Sequence, residues 1–89
     1  MSVLVGSWSN PDGGEVVEFT FDGTMIVSRG GEILTTHQYA TEESPTGGGR
    51  LHLRAEGVDG EVVLGYHVEI DVLAMSYGGQ TTVYRRVPR

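Results

Sequence analysis

Apolar and polar side chains alternate along much of the chain, in short runs broken by glycine. In "EVVEFTF" (15–21), Val17, Phe19 and Phe21 share one face, and Val16, Glu18 and Thr20 share the other. The same alternation puts Met25 and Val27 together in "TMIVS". It sets Leu51, Leu53 and Ala55 against Arg50, His52, Arg54 and Glu56 in "RLHLRAE", and Leu64, Tyr66 and Val68 against Gly65, His67 and Glu69 in "VLGYHVE". A period of two is the signature of an extended strand. One apolar and one polar face is the antiparallel pattern, since parallel strands are buried on both faces.

Between the runs stand Asp12-Gly13, Asp22-Gly23, Gly30-Gly31, Asp59-Gly60 and Gly78-Gly79, pairs suited to tight hairpins that need positive φ. Strands are predicted over 3–9, 15–21, 24–29, 32–41, 50–56, 61–69, 72–77 and 80–87. No window carries a capped helical stripe. "EIDV" (69–72) has no glycine, and the reading takes it as a turn rather than a bend in one long strand. The fold class is therefore all-β: an antiparallel up-and-down meander of about eight short strands. Closing it into a barrel removes two open edges, and the length of 89 residues fits one domain, 1–89.

Three features carry a family resemblance: Gly6-Ser7-Trp8 near the start, the Asp22-Gly23 hairpin, and the closing "VYRRV". Together they resemble the lipocalin-like, or calycin, group of small barrels, and most closely its short bacterial domains of unassigned function. In that group the first strand carries Gly-x-Trp, and an arginine of the last strand packs across the indole. The resemblance implies that Gly6, Trp8 and Arg86 close the barrel, with Arg85 as the alternative arginine. A guanidinium over an indole contributes roughly 0.5–2 kcal/mol. The helix that usually flanks the family's barrel has no candidate in this chain.

Strands of this length, tilted as in a closed barrel, give a height of roughly 18 Å. The inward list is bulky: Trp8, Phe19, Phe21, Met25, Tyr39, Leu53, Tyr66, Val68, Leu73, Met75 and Tyr84. It leaves room for a shallow cavity at the mouth and none for a deep lipid calyx. A buried tyrosine seeks a partner for its hydroxyl, so Tyr39, Tyr66 and Tyr84, with Thr35 and His37, form a candidate polar spot. The candidate ligand-binding set is His37, Tyr39, Leu53, Tyr66, Met75 and Tyr84. The loop "TEESPTGGGR" (41–50) is read as a flexible connector or lid at the mouth.

Composition narrows the chemistry. Cysteine is absent, which removes disulfides and thiolate metal sites. The net charge is −6, and all six basic side chains are arginine; nucleic acid and anionic membrane are poor partners for such a chain. No secretory signal or membrane-spanning stretch is read, so a cytoplasmic location is expected, with a mature secreted form as the alternative. His52 and His67 are expected outward on neighbouring strands and His37 inward, with Glu56 or Glu69 nearby; solvated or packed histidines are preferred to a metal site. No nucleophile elbow is present, and Glu42 and Glu43 are expected on a solvated loop. No cofactor is expected.

The favoured function is a module binding a small apolar or amphipathic molecule at the barrel mouth near 41–50. The alternative is a protein-interaction or homodimerisation scaffold with a filled barrel, suggested by outward Val16, Leu34 and Val63. A cyclase- or isomerase-type enzyme using Tyr39, Tyr66 or His37 is less favoured.

Overall fold

The computed structural model of the chain describes residues 3–55 and 60–88. Its strands are β1 (Gly6–Ser9), β2 (Glu15–Phe19), β3 (Thr24–Arg29), β4 (Glu32–Glu43), β5 (Gly48–Ala55), β6 (Val62–Glu69), β7 (Val72–Tyr77) and β8 (Gln80–Arg86). Each pairs antiparallel with the next, and β1 pairs with β8, so the sheet closes on itself as an up-and-down barrel. Glu56 and Asp59, predicted as a strand end and a turn residue, lie outside the described residues, as does Arg89. Among the described residues no helix is long and apolar enough to cross a membrane.

Closure is narrow. Only Trp8↔Arg86 and Ser9↔Arg85 are in register across the β1–β8 seam. A further bond, from the Val87 amide to the Ser7 carbonyl at 2.8 Å, extends it.

In an up-and-down barrel the turns alternate between two ends. The β2–β3, β4–β5 and β6–β7 turns share one end with the start of β1 and the finish of β8. The other end holds the β1–β2, β3–β4, β5–β6 and β7–β8 connections. We call the first the capped end. Residues 3–5 do not extend β1 as expected; they turn across the barrel, and Leu4 is fully buried. Gly6 makes the change of direction possible with φ of 133°, a conformation strained for any other residue.

The core comprises Leu4, Trp8, Val17, Phe19, Met25, Leu51, Tyr66, Leu73 and Tyr84, with Val27, Tyr39, Leu53, Leu64, Val68 and Met75 packed against it. Every residue of the bulky inward list lies in this set except Phe21, which is 85% exposed. The alternation that assigned it holds only while a strand is paired, and β2 ends at Phe19. From Thr20 the chain enters a turn held by the Thr20 amide on the Thr24 carbonyl (2.9 Å), which leaves Phe21 at the tip.

The expected long loop at 41–50 is a short turn. β4 runs to Glu43 and β5 starts at Gly48, so residues 44–47 alone connect them. The glycines serve close packing rather than mobility: a Cβ on Gly49 would lie 1.9 Å from the Glu42 carbonyl oxygen, and one on Gly48 would lie 2.8 Å from that of Tyr66. Glu42 and Glu43 therefore sit on a strand, opposite Arg50 and Gly49, and face opposite sides of the sheet.

Glu69 pairs with Val72, which makes 70–71 a two-residue hairpin turn. Ile70 holds φ of 55° there, and no other non-glycine residue described is in that region. Of the outward apolar residues, Val16 aligns through Ser28 with exposed Ile33, next to Leu34, whereas Val63 stands apart. Val63 aligns through His52 with Ala40, six positions along β4 from Leu34, or about 20 Å. Leu34 itself is the extra residue of a β-bulge between Val27↔Thr35 and Ser28↔Ile33.

Candidate functional site

The inward stripe changes character along the barrel. On β7 it runs from Leu73, fully buried, through part-buried Met75 to Tyr77, which is 62% exposed. On β6 it runs from Tyr66 through Leu64 to Val62, 44% exposed. On β8, Tyr84 is buried and Thr82 and Gln80 are exposed. On β3, buried Met25 gives way to part-buried Val27 and exposed Arg29. These strands all become open toward the same end, away from Leu4. Part-buried Val27, Leu53, Leu64 and Met75 line the interior there, packed above the buried layer. Tyr39 and Val68, also part-buried, lie nearer the capped rim.

The capped end is held by a set of contacts centred on Trp8. Its indole Nε1–H donates to the Leu4 carbonyl at 2.9 Å. The Arg86 guanidinium lies over the ring, 4.1 Å from its centroid, and donates to the carbonyls of Val5 (3.3 Å) and Val3 (3.1 Å). Its Nε stands 3.4 Å from Asp71. A Cβ on Gly6 would come within 2.9 Å of the Arg86 Nη1. Planarity lets one guanidinium stack and donate at once, which an ammonium cannot do.

The six candidate ligand residues all face the barrel interior, but their polar atoms are not brought together. Tyr39 stacks edge-on against Phe19, with centroids 5.1 Å apart, and its hydroxyl donates to the Thr20 carbonyl in the capped-end turn. Burial, then the Asp22 charge, pushes its pKa up. Tyr66 is 5% exposed, and its hydroxyl is buried without a hydrogen bond of normal geometry. Burial first and Glu43 second raise its pKa, with the nearby Thr41 side chain opposing them. Tyr84 is raised by burial and then by Glu15, which belongs to the open end. The polar spot expected from three tyrosines is thus divided between the two ends. Thr35, aligned with Val27, is exposed at the open rim.

His37 is aligned with Met25 and Ala55 on the inward face, beneath the open end. Its Nδ1 is buried and has no hydrogen-bond partner. With Leu53, Met75 and Tyr84, it is what the sequence-derived set contributes to this half of the interior.

A second feature lies on the outer wall. His52 stands between two carboxylates, with Nδ1 2.7 Å from Glu61 and Nε2 2.6 Å from Glu42. Hydrogen bonds to Glu61, then to Glu42, raise its pKa by favouring the imidazolium, which can donate from both nitrogens. A groove of about 260 Å³ beside it is lined by Gln38, Ala40, His52, Arg54 and Glu61 with the Tyr39 and Leu53 positions. With both nitrogens occupied, His52 has no free lone pair to offer a substrate. His67 aligns with Gly48, four positions from the residue opposite His52, so the two histidines are not diagonal neighbours. Among the described residues no three His, Asp or Glu side chains converge as metal ligands would.

Sequence reasoning missed the cork and the bracket. Leu4 was assigned to a strand, and only the glycine at position 6 signals a change of direction. Glu42 and Glu61 flank His52 only through strand register, which single-residue patterns do not encode.

The class these observations define is a closed, eight-stranded antiparallel barrel, corked at one end. No family model matches the chain, and neither a curated protein nor a solved structure matches it.

Proposed function

We propose that the domain binds a small apolar or amphipathic molecule in the cup at the open end of the barrel. The observation that carries this reading is the one-sided opening of the inward stripe. Apolar walls at Val27, Leu53, Leu64 and Met75 lie above a buried floor, and the unpartnered Nδ1 of His37 is buried beneath them, a polar group for an entering ligand to reach. Concave apolar sites with few polar groups are the usual form of small-ligand pockets. The Gly-x-Trp and terminal-arginine resemblance to lipocalin-like barrels supports the same class of activity. The site belongs at the open end rather than beside 41–50, because the turn within that segment shares its end with Leu4.

Titration with 1-octanol, a neutral amphiphile, followed by NMR tests the proposal. The Met75 methyl and the His37 ring should shift together and saturably, and Met75→Trp, which fills the cup, should abolish the response. Shifts confined to the capped end, or none, would refute it.

A further inference from the structure

The two most exposed large apolar side chains among the described residues, Ile70 and Phe21, both stand on turns of the capped end. They sit on the β6–β7 and β2–β3 turns, on opposite sides of the barrel circumference. Val3, 53% exposed, lies on the segment that crosses the same end. We propose that the capped end is a docking face for a polypeptide segment that presents an arginine or lysine between apolar residues.

Ile70 stands against the preference of its backbone. The first central position of its two-residue turn has positive φ, where glycine is the usual occupant and a β-branched residue is strained. The turn therefore carries a strained residue that contributes nothing to the core, and such outliers concentrate where a side chain is used.

Between these knobs lies a hole. A pocket of about 180 Å³ opens between Val3 and the β4–β5 turn, lined by Glu43, Ser44, Pro45, Gly47, Gly48 and Tyr66. Its walls mix apolar Val3 and Pro45 with a carboxylate. Tyr66, nine-tenths buried, also lines it, and its buried hydroxyl makes no normal hydrogen bond. A long side chain with an apolar stem and a cationic head matches that lining.

The surrounding charge selects the occupant. Asp22, Glu43 and Glu69 ring this end among the described residues, and Asp71 is already engaged by the Arg86 Nε at 3.4 Å. The Arg86 guanidinium is already committed to Trp8 and the N-terminal carbonyls. A second copy placed face to face would oppose acid with acid, and an anionic lipid surface would be repelled. A basic polypeptide is complementary in charge, with Phe21 and Ile70 as apolar anchors.

The probe is a random linear-peptide library displayed on phage and selected against the intact domain at near-physiological salt. Enriched peptides should carry arginine or lysine flanked by apolar residues. Synthetic copies should bind at least about tenfold more weakly to Glu43→Gln and to a Phe21→Ser, Ile70→Asn double variant. Ile70→Asn alone should weaken binding without lowering Tm, which separates lost contact from lost fold. Glu32→Gln, the same charge change at the open end, should leave affinity unchanged. Several results would overturn the proposal: no enrichment, peptides without a basic residue, equal losses from Glu43→Gln and Glu32→Gln, preferential binding to neutral phosphatidylcholine vesicles, or dimerisation through Phe21 and Ile70.

Discussion

At one end of the barrel the chain folds over its own interior; at the other it leaves the interior strands to finish in solvent. The capped end spends a buried leucine, the only tryptophan and a stacked arginine on closure, and sends Phe21 and Ile70 outward. The open end carries an ordinary surface ion pair, Arg29 to Glu15 at 2.6 Å, and exposes Val62 and Tyr77 from the inward stripe. Strand alternation is the same at both. The difference comes from three residues before β1, and it teaches that a short barrel's access route is set by its terminal segment rather than by its strands.

Truncating matched residues at the two ends gives the largest contrast. Leu4→Ala should cost about 3 kcal/mol, because it removes a fully buried side chain and leaves a void. Val62→Ala should cost less than about 0.5 kcal/mol. Urea unfolding of both variants measures the gap, and equal losses would erase the distinction between the ends.

The two arginines come next. Arg86→Ala removes the stacking on Trp8 and two hydrogen bonds to backbone carbonyls, for an expected loss of about 1–2 kcal/mol and a shift in tryptophan emission. Arg29→Ala breaks a mostly exposed pair and should cost less than about 0.5 kcal/mol, with unchanged emission. Ile70→Gly works in the other direction: relief of the positive φ should raise stability by about 1 kcal/mol in thermal melts.

The smallest effect belongs to the wall between the ends. The folded-state pKa of His52 is raised above its ordinary value of 6.5 by Glu61 and Glu42. Its contribution to stability is then fully present below about 6.5 and is lost as pH rises through the folded value. His52→Gln should flatten the pH dependence of Tm above that point, and NMR titration of the ring reads the folded pKa directly.

Much of the fold was legible because it depends on local pattern. Alternation placed Val17, Phe19, Met25, Leu51, Leu53, Tyr66, Leu73 and Tyr84 inward, and the Gly-containing pairs at 22–23, 30–31 and 78–79 fall at hairpin turns. The 69–72 segment forms the turn preferred for it, at the expense of a strained isoleucine. The failures share a cause. Phe21 continues an alternating pattern past the point where pairing stops, and pairing is a property of two strands. Residues 41–50 read as loose because of their glycines, yet two of those glycines are required by carbonyls approaching from β4 and β6. The candidate site was legible as a list of inward residues and illegible as a geometry. Nothing in the local sequence says that the Tyr39 and Tyr84 side chains answer to opposite ends, or that Glu61 meets His52.

One experiment addresses the corked cup most directly. A water-soluble gadolinium chelate added to methyl-labelled protein relaxes each methyl according to its access to solvent. The methyls of Leu4, Leu51 and Leu73 should be protected, Met75 intermediate, and Val62 strongly relaxed. Strong relaxation of Leu4, or equal protection of Leu73 and Val62, would contradict a barrel closed at one end and open at the other.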